Sequence, residues 1–475
     1  MNYDLCIIGG GSGGTAAAIA AGRYGLKTLL VEAADCLGGT AVRAGVSIWE
    51  MGCGGTGIPF DLYRRLQAIP GAVGIYRINR HCCWPEDGFY PGGESVLDPS
   101  LTYQDTLCRH SQGALSFGCS EDKPLIRARW HGVVNEPEAL SRVMLEACQE
   151  TGRVTVRLGV KLDRVETEAG KVLALWLSDG TRVTATTFID GTGDGVLCGA
   201  CGCERHLGRD PRSRYDEPGA PETADHQING VSLIFRITPK SAPGIDVPPI
   251  PVPETCWWRR DFPIASCVQY PNGDYNINIL PTLEGHDYLR LGPEAAYPEC
   301  LRRIYAFWRY WQDRFPEWQA YRIGWIAPAL GVRESYRVVS EYMLTRQDAE
   351  VGLARQTHPD LIAVNDHPLD VHGGGGDGTN GVTSAYGVPF RCLIPKGWKN
   401  LLVASRAAGM SSQAASSCRL TRVIMALGQA AGTAAAWAME TGRDVARVDP
   451  TVLRRRLREQ GATWVPEDVA NATEN

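Results

Sequence analysis

Asp370-Val371-His372 places an imidazole two positions after a carboxylate. Imidazole gains and loses a proton near neutral pH, so His372 is a candidate general acid or base. Asp370 would then share that site or bind a substrate hydroxyl. The competing reading is a histidine that only hydrogen-bonds a loop. Arg333, within Gly331-Val332-Arg333-Glu334-Ser335, presents a forked cation suited to an anionic group. An ion pair with Glu334 or another core acid is its alternative, and Arg43 is a candidate of the same kind. Cys198-x-x-Cys201-x-Cys203-x-x-His206 offers three thiols and an imidazole, donors that zinc accepts. Plain packing by small thiols, or a redox disulfide between Cys198 and Cys201, would use the same residues.

Such groups need a scaffold, and the N-terminal residues supply one. Asp4–Ile8 reads as a buried parallel strand, followed at once by Gly9-Gly10-Gly11-Ser12-Gly13-Gly14 and an Ala-rich helical stretch, Thr15–Tyr24. A second apolar strand, Thr28–Val31, ends in Glu32, 18 residues after Gly14. Gly9 allows a tight turn, Gly11 lets the backbone approach a pyrophosphate, and Gly14 lets helix and strand pack closely. The helix N-terminus adds donors and a positive field, and Glu32 is placed to bind ribose hydroxyls. Gly52-x-Gly54-x-x-Gly57 and Gly373-x-Gly375-x-x-Gly378 have the same glycine spacing. The first lacks an acid ending a second strand and the second lacks a helix, so both read as turn-rich loops. One dinucleotide fold is expected.

The chain has 475 residues, 44% hydrophobic and 21% charged, with a net charge of −5. That length favours two domains. The acidic balance gives no reason to expect nucleic acid or an anionic membrane as partner, and no apolar run is long enough to span a bilayer. The N-terminus has no basic region or cleavage site, so a cytoplasmic protein is expected, with its sixteen cysteines reduced.

Three further segments resemble cofactor-contacting turns of large FAD enzymes. They are Cys36-Leu37-Gly38-Gly39-Thr40, Thr187-Phe188-Ile189-Asp190-Gly191-Thr192-Gly193-Asp194-Gly195 and Asn400-Leu401-Leu402-Val403-Ala404-Ser405-Arg406-Ala407-Ala408-Gly409. With Gly331–Ser335 and Asp370–His372, the chain resembles the FAD-dependent oxidoreductase family related to fumarate reductase and succinate dehydrogenase flavoproteins. The resemblance leaves residues 81–130 and 206–325 largely unmatched. It implies an α/β fold: a Rossmann-type, glutathione-reductase-like FAD-binding domain with a sheet-containing substrate cap. It implies FAD contacts at Gly9, Gly11, Ser12, Gly13, Gly14, Glu32, Ala33, Gly38, Gly39, Thr40, Arg43, Leu162, Asp190, Gly191, Thr192, Gly193, Arg406, Ser417 and Arg419. Many relatives carry an acid where this chain has Arg406, whose donors suit a pyrophosphate instead. The cysteine cluster follows the second turn, where relatives pack small residues on the cofactor, so packing thiols and no metal are expected.

The domain reading is 1–205 for the first part of the FAD domain, with a loop insert at 81–130 containing Cys82-Cys83. Residues 206–330 form the cap and 331–475 complete the FAD domain. Val154–Val160, Lys171–Leu177 and Thr181–Thr184 read as antiparallel strands. Val231–Thr238, Ile264–Tyr270 and Asp274–Leu280 are strand-like, the last two joined by the turn Pro271-Asn272-Gly273. Glu294–Gln312 reads as a helix with an aromatic face, and Arg419–Glu440 as a helix pointing its N-terminus at the flavin. Tryptophans 257, 258, 308, 311, 318 and 325 fall in the cap, as core or as a binding surface.

The function expected is hydride transfer between flavin N5 and a small organic substrate at a CH–OH or CH–CH bond. His372, Asp370 and Arg333 are its catalytic candidates. Oxygen, a quinone-like molecule or a protein would accept the electrons, and the oligomeric state stays open, a homo-oligomer included. Alternatives are a non-redox or RNA-modifying flavoprotein and a cysteine-linked disulfide reductase.

Overall fold

In the computed structural model, strand β1 (Asn2–Ile8) runs through the middle of the principal sheet, with Leu5, Cys6 and Ile7 wholly buried. Residues 1–50, 52–78, 95–108, 131–259, 265–373, 376–380 and 385–463 are described; most of the 81–130 segment, Cys82 and Cys83 included, lies outside them. The unbroken apolar run at residues 5–8 of β1 reflects cover on both faces, as parallel strands require. The glycine turn leads into α1 (Ser12–Arg23) and back to β2 (Thr28–Val31), parallel to β1.

Strands β3 (Val154–Arg157), β4 (Leu162–Glu168), β5 (Lys171–Leu177) and β6 (Arg182–Asp190) continue the sheet, in the order β3-β2-β1-β6-β5-β4. One expectation is corrected here: β3 pairs in parallel with β2, Thr28 opposite Val154 through Val31 opposite Arg157. Alternation records a half-covered strand and says nothing of its neighbour's direction. β6 belongs to two pairings. Its first residues run antiparallel to β5, and Thr184–Asp190 run parallel to β1.

The segment at 206–330 contains β7 (Phe235–Pro239), β8 (Ser266–Gln269), β9 (Tyr275–Asn278) and β10 (Tyr321–Ile326), ordered β8-β9-β7-β10 and all antiparallel. Gly273, at φ 88°, makes the turn between β8 and β9. Helix α2 (Gly285–Arg314) starts earlier than expected and breaks at Gly292, φ 72°, just before Pro293. Trp308, Trp311 and Trp318 are buried in the cap's own core, whereas Trp257 is 40% exposed. Removing one such buried ring costs about 3–5 kcal/mol. These tryptophans are packing residues.

A hairpin of β11 (Leu369–Gly373) and β12 (Gly376–Asn380) sets Asp370 opposite Thr379. The chain then rejoins the first sheet, where β13 (Leu401–Val403) pairs in parallel with β6. Helix α3 (Thr421–Thr441) lies on α1, with no room for side chains at the crossing. A Cβ on Gly428 would lie 2.0 Å from the Gly13 carbonyl oxygen, and one on Gly432 2.2 Å from that of Ala17. Among the described residues, no helix is long and apolar enough to cross a membrane. The architecture is α/β, with a Rossmann-type parallel sheet.

Candidate active site

A cavity of about 630 Å³ lies where the ends of β1, β2 and β6 meet the cap sheet. Gly9 adopts φ 98°, and a Cβ there would strike the Thr192 backbone nitrogen at 2.6 Å, so the first and second glycine turns interlock. At Gly11 the situation differs. A Cβ would meet only the Gly191 carbonyl, at 3.7 Å, so the volume above it belongs to the cavity. The N-terminus of α1 opens onto that volume, where unpaired N–H groups favour an anion.

Glu32 accepts the Gly10 N–H at 2.6 Å and the Ala34 N–H at 2.8 Å while its side chain lines the cavity. The Gly38 N–H donates to the Gly10 carbonyl at 2.8 Å, which fastens the Cys36–Thr40 turn beside the first. Asp190 is wholly buried. Its carboxylate accepts from the Thr192 N–H and hydroxyl (2.9 and 2.6 Å) and from the Cys198 N–H (2.8 Å). Burial raises its pKa, with those donors pulling the other way. Arg406 pairs with Asp194 at 2.9 Å and reaches the Thr40 hydroxyl at 3.4 Å, while its buried Nε has no partner. An open backbone cradle, a helix N-terminus and a ribose-side carboxylate fit a dinucleotide: Gly11, Ser12, Gly13, Glu32, Ala33, Gly39, Thr40, Leu162, Gly191, Thr192, Gly193 and Arg406 would hold FAD.

Five residues expected at the cofactor do not line the cavity. Gly14 lies beneath Gly9, and Gly38 holds the turn from behind. Asp190 points into the sheet, and Arg43 is engaged through its backbone, its carbonyl accepting from Ala329. Ser417 is buried behind the cavity, bonded to the Tyr386 hydroxyl and the His367 carbonyl. Arg419 and the first residues of α3, Leu420 and Thr421, do line it.

The opposite end carries the titratable groups. His372 Nε2 lies 2.8 Å from Asp370 Oδ1, and Arg419 donates to Asp370 Oδ2 at 2.6 Å. Burial opposes ionisation of Asp370, but His372 and Arg419 outweigh it and hold the carboxyl well below its usual range. Burial likewise lowers His372, against the pull of Asp370. A neutral imidazole with an ionised carboxylate assigns the proton to Nε2 and leaves the Nδ1 lone pair as base. Arg333 does not pair with Glu334, which bonds instead to Arg337 at 2.7 Å and to Asn229 at 2.9 Å.

Asn229 and Gly230 tie these groups together. Asn229 Oδ1 accepts the His372 N–H at 2.8 Å, and the Gly230 N–H donates to the His372 carbonyl at 2.7 Å. The Gly230 carbonyl in turn accepts from Arg333 at 2.8 Å. The sequence reading missed Asn229, which lies 143 positions from His372. It also missed Glu50, His367, Ser232, Ser266 and Asn278 on the cavity wall. Asp366-His367 echoes the acid–imidazole neighbourhood of Asp370–His372, a signal that was available.

The cysteine cluster lies off the cavity. Cys198 is buried, and burial raises its thiol, and that of Cys201, above the ordinary value. His206 faces Glu204 at 3.3 Å and Asp210 at 3.6 Å. Among the described residues, no three His, Cys, Asp or Glu side chains are arranged to hold a metal ion.

Known proteins resemble the chain to different extents. A 3-oxosteroid 1-dehydrogenase of Mycolicibacterium smegmatis is 24% identical over 445 residues, covering 75% of each chain. A mitochondrial dihydrolipoyl dehydrogenase of Schizosaccharomyces pombe is 56% identical over 43 residues, 9% of this chain and only 8% of that one. A geranylgeranyl bacteriochlorophyll reductase-like structure from Thermoplasma acidophilum is 13% identical, with a TM-score of 0.41, over 100% of this chain and 96% of that one. The FAD dependent oxidoreductase family profile matches residues 4–457, and the chain belongs to that family, an enzyme with FAD as cofactor.

Proposed function

We propose that this enzyme oxidises a small organic substrate beneath the cap, with His372 taking the proton that leaves as the hydride moves. Bound FAD supplies the two-electron acceptor at N5. The reading rests on one observation: the hydrogen-bonded series Arg419–Asp370–His372 ends in the same cavity as the glycine cradle. Asp370 keeps the Nε2 proton in place, so Nδ1 is the nitrogen left to act as base. Oxidation of a CH–OH group uses this arrangement directly, the hydride leaving carbon and the hydroxyl proton passing to Nδ1. A CH–CH substrate would lose its second hydrogen to the same atom. The cap excludes water, and its Ser232, Ser266 and Asn278 orient the molecule. A thiol route has less support, because no cysteine among the described residues lines the cavity.

The test is anaerobic stopped-flow reduction, after a screen for substrates that bleach the flavin. His372→Ala should keep its FAD and slow reduction roughly a hundredfold or more. Reduction at the wild-type rate would make His372 a loop residue; loss of FAD would assign it to the cofactor.

A further inference from the structure

We propose that the substrate is a small carboxylic acid bearing a hydroxyl or amine, and that Arg333 receives its carboxylate. The proposal rests on the hydride-transfer reading above and names the substrate class of that same site.

Arg333 lines the cavity from a fixed backbone. Gly331, two residues earlier, exchanges backbone hydrogen bonds of 2.7 and 3.2 Å with Ser232. Three other arginines of this region are matched by acids: Arg337 by Glu334 and Asp210, Arg422 by Asp366, and Arg419 by Asp370. Arg333 has no such acid. Its one hydrogen bond is to the Gly230 carbonyl, and no carboxylate of the described residues lies within ion-pair distance. Asp370 is the nearby acid, and both its oxygens are already engaged by His372 and Arg419.

A guanidinium in that position is costly unless an anion joins it. Burial pulls Arg333 down to about 9, with Arg419 and Arg259 adding repulsion and Asp370 offsetting part of it. A carboxylate accepts two parallel N–H bonds from the free edge of the fork. Neutral ligands cannot supply that match.

Placement favours substrate over structure. Residue Gly230 joins the Arg333 guanidinium to the His372 backbone, and the charge of Arg333 also acts on the His372 ring, so an acid held at Arg333 sits beside the proton-accepting residue. The oxidisable carbon therefore lies close to the carboxylate. On the cap wall, Asn278 Oδ1 is buried without a hydrogen-bond partner. It is an acceptor, so it serves a donor group on the same molecule and not the carboxylate.

The test uses FAD-loaded enzyme and two probes of equal shape, benzoate and benzamide, titrated into the oxidised form. Binding is read from the visible flavin spectrum and the thermal midpoint, without turnover. Benzoate should bind wild-type at least tenfold more tightly than benzamide does. Arg333→Gln should weaken benzoate roughly tenfold to hundredfold, the scale of a lost charge-assisted pair, and leave benzamide unchanged. Arg333→Lys should fall between, because it keeps the charge and loses the fork. Equal binding of the two probes, no benzoate binding to wild-type, or unchanged benzoate affinity in Arg333→Gln would each overturn the proposal. So would loss of FAD from Arg333→Gln, which would give the cation to the cofactor. Because no turnover is involved, these results stand apart from those of the His372→Ala test.

Discussion

Replacing Asp370 by Asn is the sharpest probe of the proton path, because it alters charge and hydrogen-bond polarity with little change in shape. In the native site both carboxylate oxygens accept: from His372 Nε2 at 2.8 Å and from Arg419 at 2.6 Å. An amide has one oxygen and one NH₂. Arg419 can only donate and claims the oxygen, so the NH₂ turns towards His372. Nε2 must then give up its proton, which moves to Nδ1, and the nitrogen assigned as base becomes a donor. The base is lost though every heavy atom is retained. A misassigned tautomer in a comparable dyad costs up to about 10⁴ in rate, and loss of a general base at least about 10². The expected slowing therefore lies between about 10² and 10⁴, or roughly 3–5.5 kcal/mol of barrier. Breaking the buried pair leaves Arg419 uncompensated and lowers stability by about 3–5 kcal/mol. FAD content is the control for folding.

The assay is anaerobic stopped-flow reduction from pH 5 to 9. Burial holds His372 below its ordinary 6.5, so wild-type has its base neutral at pH 7. Its rate should be flat from neutral to alkaline pH and fall on the acid side below 6.5. In Asp370→Asn the carboxylate's upward pull is gone and the two arginines remain, so any residual acid limb moves to lower pH. A rate within about threefold of wild-type, or an acid limb shifted upward, would refute the reasoning.

Three further outcomes follow from the same geometry. Gly11→Val should leave the apoprotein folded and abolish FAD binding, because its side chain enters the cavity. Gly14→Ala should instead lower apoprotein stability by about 1–3 kcal/mol, since its Cβ would sit 1.9 Å from the Gly9 carbonyl oxygen; thermal melts with FAD titration separate the two. Asn229→Ala should slow flavin reduction at least tenfold while benzoate affinity changes little, and cost about 1–3 kcal/mol for the unpaired His372 N–H. Equal effects on rate and benzoate binding would mean that Asn229 only supports the fold.

What was legible in the sequence was local. Gly9 to Gly14, the strand after them and Glu32 form one continuous unit, so strand, turn, helix and acid could be read in order. The pairing of Val154–Arg157 was not, because side-chain alternation is the same whichever way the partner runs. Ser417 sits near residues that reach the cavity, yet a helical turn has several faces and this one looks inward to Tyr386. Asn229 was invisible for a different reason. Its role is a contact across 143 residues, carried by an amide that looks like any other in a polar loop. Arg333 was seen as a cation, but only the fold shows that Glu334 is taken by Arg337.

The glycine-to-backbone crossing of α1 and α3 also sets when the site comes into being. The cradle at Gly11 and the helix that locks it, through Gly428 and Gly432, lie about 400 residues apart in the sequence. At ordinary ribosomal speeds of about 5–20 residues per second, roughly 20 to 80 seconds pass between their emergence. Throughout that interval the alanine face of α1 lacks its α3 cover, and β6, once made, waits for β13. Nascent chains therefore carry an open apolar surface until α3 arrives.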